Sequence, residues 1–147
     1  MSKVIIYHAF AKDTFPVSTT VLNSGWMPGQ LGTLNSAGTS IKIASTDETM
    51  FLLADSPSEL NSPPTGSLVT CIYGAGTKVI IDHSQEVQTN SSNRAYESDV
   101  ENALPGQSLY VSGNGKFTTV VTGSVYGKVF QVPSATNNYG LGVILRF

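Results

Sequence analysis

The sequence predicts an all-β protein: a single antiparallel β-barrel or jelly-roll-like sandwich with little helix. Turn-forming residues recur at intervals of about 8–12 residues, a spacing typical of sandwiches and barrels. The segments between them are rich in Val, Ile, Thr, Tyr and Phe, which suit the pleated, half-buried surface of a strand. The chain has 147 residues and no change of composition that would mark a linker. We therefore expect residues 1–147 to form one β domain.

Eleven segments have the composition of strands, and glycine, proline or asparagine separates most of them. Such residues turn the chain because they supply a positive φ or a φ fixed near about −65°. In chain order, the predicted strands are residues 3–8, 15–22, 40–45, 49–54, 68–73, 78–82, 94–100, 108–112, 116–122, 127–132 and 140–147.

Turn-forming segments between the predicted strands mark where each strand ends. Residues 23–25 and 35–38 lie between the second and third strands, and residues 62–66, with two prolines, separate the fourth and fifth. Residues 74–76 join the next pair. The clearest unit is a hairpin in which Asn114 and Gly115 separate two strand-like runs, because Asn-Gly is a strong signal for a tight turn.

Two segments leave a helix open as an alternative. Residues 93–104 place Tyr96, Val100 and Leu104 at the i, i+4 and i+8 positions of one helical face, although the composition also suits a strand. Residues 48–60 are similarly ambiguous, and Pro57 would end a helix there.

Composition excludes several classes of partner. Only 12% of the residues are charged, the net charge is −2, and the sequence contains no cluster of Lys or Arg, so we expect no nucleic-acid partner. The apolar runs are too short for a signal peptide or a membrane span, and an outer-membrane barrel is disfavoured although the last residue is Phe147. With a single cysteine, Cys71, we expect synthesis and folding in a reducing cytoplasm.

The sequence contains no convincing catalytic motif. Asp82, His83 and Ser84 are the residue types of a hydrolase triad, but neighbours on a strand point to opposite faces and do not form that relay. The run that ends at Lys116 lacks the spacing and the following helix of a phosphate-binding loop. We therefore expect no enzymatic activity.

We also expect no cofactor and no metal. Two histidines and one cysteine, all isolated, give no zinc spacing, and Cys71 in a strand is most simply a small buried hydrophobe. A calcium site would have to draw on scattered loop acids, and the sequence has no regular calcium-loop array. Those acids are Asp47, Glu48, Asp55, Asp99 and Glu101.

Three aromatic residues are candidates for an interface. Phe10 and Phe15 flank a short segment after the first strand, where they would pack either inside the subunit or between subunits. Trp26 lies in a loop bounded by glycines and would either cover one end of the barrel or anchor a partner.

The run of residues 106–118, followed by residues 125–129 and 140–145, resembles the C-terminal half of small β-barrel structural proteins of tailed phages. The loop at residues 26–30 is similar to one in their first half. The resemblance implies a capsid decoration, or cement, protein: a homotrimer on the outside of the mature head that stabilises contacts between major capsid subunits. It implies location in the virion and no catalytic residues.

Two other functions stay open. The same motifs also suit a tail or baseplate component, because they describe a hairpin and barrel-closing strands and no binding site. A carbohydrate-binding β module is the third hypothesis, with Trp26 and Tyr139 as the rings on which a sugar would stack. Apart from these resemblances, a chain with few charges on its strand edges is expected to associate with itself or another protein.

Overall fold

The computed structural model describes residues 2–9, 11–45, 50–57, 67–83 and 94–147. Within these ranges the chain forms eleven β-strands, one short α-helix and two 3₁₀ helices. The strands are β1 Lys3–His8, β2 Ala11–Pro16, β3 Leu31–Leu34, β4 Ile41–Ile43, β5 Phe51–Leu53, β6 Leu68–Tyr73, β7 Lys78–Asp82, β8 Ser108–Val111, β9 Phe117–Thr118, β10 Gly127–Gln131 and β11 Leu141–Leu145; the helix α1 is Thr19–Ser24, and the 3₁₀ helices are Ser98–Asn102 and Ala135–Asn137.

The strands form two antiparallel sheets. One has six strands in the order β1-β7-β11-β10-β8-β9, and the other has five in the order β2-β6-β5-β3-β4. The predicted all-β sandwich with little helix is confirmed. Its barrel alternative is not adopted, because no described strand of one sheet forms a ladder with a strand of the other. In the described parts of the chain, no helix is long and apolar enough to cross a bilayer.

The main core lies between the two sheets. The inward residues of β7 and β11 alternate with outward ones, so that Val79, Ile81 and Val143 are fully buried. They meet Leu52 and Ile72 from the five-stranded sheet. Burial of these branched side chains supplies most of the stabilisation, at about 25 cal/mol for each Å² of apolar surface removed from water.

A second apolar cluster covers the other face of the five-stranded sheet. Phe51, Leu53 and Cys71 point toward it, and Val21 of α1 packs over them. Both faces of the sheet are therefore buried at β5, which explains why all three residues of this strand are apolar.

The segment that contains α1 was predicted as part of a strand over residues 15–22, and this prediction is wrong beyond Pro16. Ser18 caps α1, because its side chain accepts a hydrogen bond from the Val21 amide at 3.3 Å. The predicted strands missed all of β3 and the first four residues of β2. The exposed residues of β2 and a glycine within β3 weakened the apolar pattern on which the prediction relied.

The second wrong strand is residues 94–100. In this segment only Tyr96 forms a β-bridge, to Phe117. Ser98–Asn102 is a 3₁₀ helix, and it lies within residues 93–104, for which a helix was the alternative prediction. The predicted hairpin is confirmed, since Tyr110 pairs with Thr118 and Val111 with Phe117. Its second strand is shorter than predicted because the Thr118 and Thr119 hydroxyls both donate to Asp99, which draws the chain out of the sheet.

Candidate interaction surface

His83, the centre of the rejected triad, is a structural residue. Its ring is fully buried, and the Ala95 amide donates to Nε2 at 3.1 Å. Because an amide only donates, Nε2 must be unprotonated, and Nδ1–H then donates to the Tyr139 carbonyl at 3.1 Å. Both ring nitrogens are occupied in a neutral imidazole, which is unavailable as a general base. Ser84 lies outside the described residues.

Around His83 lies a buried polar cluster that no pattern in the sequence indicated. The Tyr96 hydroxyl donates to the same Tyr139 carbonyl at 2.8 Å, and burial is the largest cause that raises the pKa of this phenol. The Arg94 guanidinium stacks on the Tyr139 ring at 3.9 Å and lies 3.7 Å from a Glu101 carboxylate oxygen. These contacts hold the loop before β11 against the segment before β8, so the cluster stabilises the fold.

Of the five acids considered for calcium, the three that the structure describes have separate partners. Asp55 accepts from the Thr70 amide at 2.7 Å, Asp99 accepts from residues 118 and 119, and Glu101 faces Arg94. Asp47 and Glu48 lie outside the described residues. Across the part of the chain that is described, no group of three or more His, Cys, Asp or Glu side chains is placed to hold a metal ion.

Cys71 is fully buried, as predicted for a small hydrophobe. Burial raises the pKa of its thiol to about 12, and the negative charges of Asp55 and Asp13 add to the effect. A thiol with so high a pKa is not ionised at neutral pH and is a poor nucleophile.

Of the three predicted interface aromatics, two are described and Phe10 lies outside the described residues. The Trp26 ring is only 6% exposed, and its Nε1 donates to the Asp55 carbonyl at 2.8 Å. Phe15 is half-buried and packs on the Phe51 ring, 5.1 Å between centroids. Trp26 therefore covers the second apolar cluster, and its part in an interface stays a prediction, as does that of Phe15.

Among the described residues, a run of three exposed apolar side chains lies on β1, and a run of two, Val120 and Val121, follows β9 outside any strand. Ile5, Ile6 and Tyr7 are 37%, 40% and 62% exposed. β1 is an edge strand, because it pairs with β7 on one side and the sheet ends there. The sequence predicted this strand but gave no indication that it lies at an edge. An apolar edge strand presents both unpaired backbone groups and apolar side chains to a partner.

The other edges of the two sheets differ from β1. On β2 the exposed Lys12 and Asp13 place charges on the edge, and on β4 the central residue is the exposed Lys42. β9 is covered by the segment that carries Tyr96 and Asp99. Charged or covered edges resist pairing with another chain. β1 is thus the edge best suited to an interaction.

No family model matches the chain, and no curated protein or solved structure is significantly similar to it.

Proposed function

We propose that the chain is a capsid decoration protein, which forms a homotrimer on the outside of a mature phage head and clamps neighbouring major capsid subunits. The observation that carries this proposal is the apolar edge strand β1, with Ile5, Ile6 and Tyr7 exposed. An edge of this kind favours association through backbone and apolar contacts. The location is then the virion, after synthesis in the host cytoplasm.

The buried His83 and Cys71 support a structural function over a chemical one, since neither side chain reaches solvent. A clamp of this kind stabilises the shell by mass action, because it binds the mature form and not its precursor. A small binding free energy at each site is sufficient, because many symmetric sites on the shell repeat the same contact. Nothing about the two rings named for sugar stacking favours the carbohydrate hypothesis, since Trp26 is buried and Arg94 covers one face of Tyr139.

The test combines solution mass with particle binding. Light scattering should give three times the chain mass of 15.5 kDa. The purified protein should co-sediment with mature heads of the phage that encodes it and not with precursor shells. A monomer that ignores mature heads would overturn the proposal, and immunogold labelling confined to tails would replace it with a tail or baseplate function.

A further inference from the structure

Two lysines that are far apart in the sequence lie in one row on the outer face of the six-stranded sheet. Lys78 on β7 lies opposite Ile144 on β11, and Ile144 lies opposite Lys128 on β10. Because neighbouring strands are about 4.8 Å apart, the two lysine Cα atoms are roughly 10 Å apart across Ile144. Lys78 is exposed and Lys128 is half-buried, with its ammonium donating to the Ser108 hydroxyl at 2.6 Å.

Arg146 adds a third cation beside this row. It follows Ile144 by two residues, and the side chains on either side of it, Leu145 and Phe147, pack into the main core. By the alternation of an extended chain, Arg146 points to the outer face, where it is exposed. We call this surface the basic face and define it as Lys78, Lys128 and Arg146 together with Tyr7, Phe130 and Ile144.

Aromatic rings flank the first of these cations. The Lys78 ammonium lies 4.4 Å from the Phe130 ring centroid and 5.9 Å from that of Tyr7. The Phe130 ring in turn lies over Gly142, where a Cβ would come within 2.8 Å of it. The rings hold the ammonium in place through their quadrupoles, but they bring no negative charge to it.

No acid in the described part of the chain balances this surface. Asp82 lies at the other end of β7 and pairs with Lys3 at 3.8 Å. Glu97 and Asp99 belong to the segment that covers β9, and Asp13 belongs to the five-stranded sheet. None of the three cations has a described carboxylate within ion-pair distance. Counting the described residues, the face therefore carries a local positive charge although the whole chain has a net charge of −2.

We propose that the basic face binds an acidic segment of another protein, with apolar side chains interleaved among its carboxylates. Three cations spaced around Ile144 match such carboxylates, and Tyr7, Phe130 and Ile144 offer apolar contact between them. The proposal rests on the proposed function only in placing this segment on the capsid shell. It names the face that meets the shell, while Ile5 and Ile6 on the edge of β1, beside Tyr7, remain for self-association.

Nucleic acid is the less suitable occupant of this face. A duplex or single strand is held through many phosphates, and the basic face supplies three cations on a chain whose net charge repels a polyanion. Apolar side chains between the cations complement a protein surface better than a uniform phosphate backbone.

The probe for the test is a synthetic peptide in which Glu and Asp alternate with Leu and Phe. Its affinity is measured by fluorescence anisotropy for the wild type and two triple variants. The first variant, Lys78→Gln, Lys128→Gln and Arg146→Gln, neutralises the basic face. The matched control, Lys12→Gln, Lys42→Gln and Lys116→Gln, changes the net charge equally at other sites. Circular dichroism checks that both variants keep the fold.

We expect the first variant to bind the peptide roughly tenfold more weakly than the wild type, while the control variant binds within about twofold of it. Equal weakening by both variants would show that only net charge matters and would overturn the proposal. No peptide binding by the wild type would overturn it as well. So would tighter binding to a single-stranded DNA oligonucleotide or to vesicles of phosphatidylglycerol and phosphatidylcholine.

Co-sedimentation of the same three proteins with mature heads separates this proposal from the proposed function. If the wild type ignores heads while the peptide result stands, the decoration function fails and the basic face stands. If all three proteins bind heads equally well, the decoration function stands and the basic face is not what meets the shell.

Discussion

The six-stranded sheet ends in two edges that the fold treats differently. At β9 the Glu97 amide donates to the Phe117 carbonyl at 2.9 Å, and the Asp99 carboxylate accepts from Thr118 and Thr119. The turn before β9 is also tied to the other sheet, since the Leu31 amide donates to the Gly115 carbonyl at 2.7 Å. At β1 the sheet ends with apolar side chains exposed to solvent.

At β9 the molecule covers its own strand edge, whereas at β1 the described residues leave apolar side chains exposed. A polar segment occupies the backbone groups of β9, so changes at that edge should cost folding stability. On β1 the side chains of Ile5, Ile6 and Tyr7 are exposed, so changes there should alter association and leave stability nearly unchanged.

The largest effect is expected at the centre of the covered edge. Phe117 is fully buried, and Phe117→Ala should lower the free energy of unfolding by about 3–5 kcal/mol, because it removes apolar contacts and leaves a cavity. The matched change at the open edge, Tyr7→Ala, should cost less than about 1 kcal/mol, since the ring is largely exposed. Urea denaturation measures both. Equal losses would remove the distinction between the edges.

The next largest loss of folding stability is expected for a substitution in the turn before β9. Gly115 has a φ of +66°, and a Cβ there would lie 2.5 Å from an Ile43 methyl and 2.8 Å from the Leu31 carbonyl oxygen. Gly115→Ala should therefore cost about 2–4 kcal/mol, from backbone strain and crowding together. The control is Gly38→Ala, with a nearly identical φ of +69° and open space, which should cost only about 1 kcal/mol. Similar costs would mean that the turn is not tightly seated against the other sheet.

A smaller effect is expected at the carboxylate that ties the covering segment to β9. Asp99 Oδ2 accepts from the Thr118 hydroxyl at 2.7 Å and from the Thr119 amide at 2.9 Å. Asp99→Asn removes the charge from these hydrogen bonds and should cost about 1–2 kcal/mol at neutral pH, measured by thermal denaturation.

The same carboxyl makes a pH dependence testable. Burial would raise the pKa of Asp99, but hydrogen bonds from Thr118, Thr119 and Val120 outweigh burial and lower it from the ordinary value of 3.8. A lowered folded pKa contributes stability that is fully present above the unfolded pKa and is lost as the pH falls through the folded one. The gap between wild type and Asp99→Asn should thus be constant near neutrality and shrink below about pH 4. A gap that persists unchanged in acid would contradict this assignment.

Local patterns in the sequence were sufficient for strands whose apolar residues and turns agree. The predicted residues 3–8, 68–73 and 78–82 coincide with β1, β6 and β7. Where a cap or a side-chain hydrogen bond decides the conformation, composition alone misled: Ser18 begins a helix, and Asp99 draws its segment into a 3₁₀ turn.

The candidate surfaces depend on strand order, which local patterns do not contain. Residues 3–8 read as an ordinary strand, and only their place at the end of the sheet exposes them. The sequence shows no cluster of Lys or Arg, yet register places Lys78 and Lys128 on either side of Ile144. For Trp26 the sequence suggested an exposed surface that the fold does not provide. Its place in a loop pointed to an interface, but its ring packs into the second apolar cluster.

The smallest change in stability, and the most direct test of the open edge, is expected for Ile6→Lys. Ile6 is 40% exposed on β1, and a lysine on an edge strand discourages pairing with another chain. The free energy of unfolding of the subunit should change by less than about 1 kcal/mol. Light scattering should show the loss of the proposed trimer, with the mass falling toward that of one chain.

Val121→Lys is the matched control, because Val121 is 72% exposed and lies away from β1. The same addition of one positive charge there should leave the trimer intact. If Ile6→Lys remains trimeric, or if both variants dissociate alike, the apolar edge of β1 does not hold the subunits together. Dissociation by Ile6→Lys alone would establish that the edge left open by the fold is the one used for assembly, because net charge and fold are the same in the two variants.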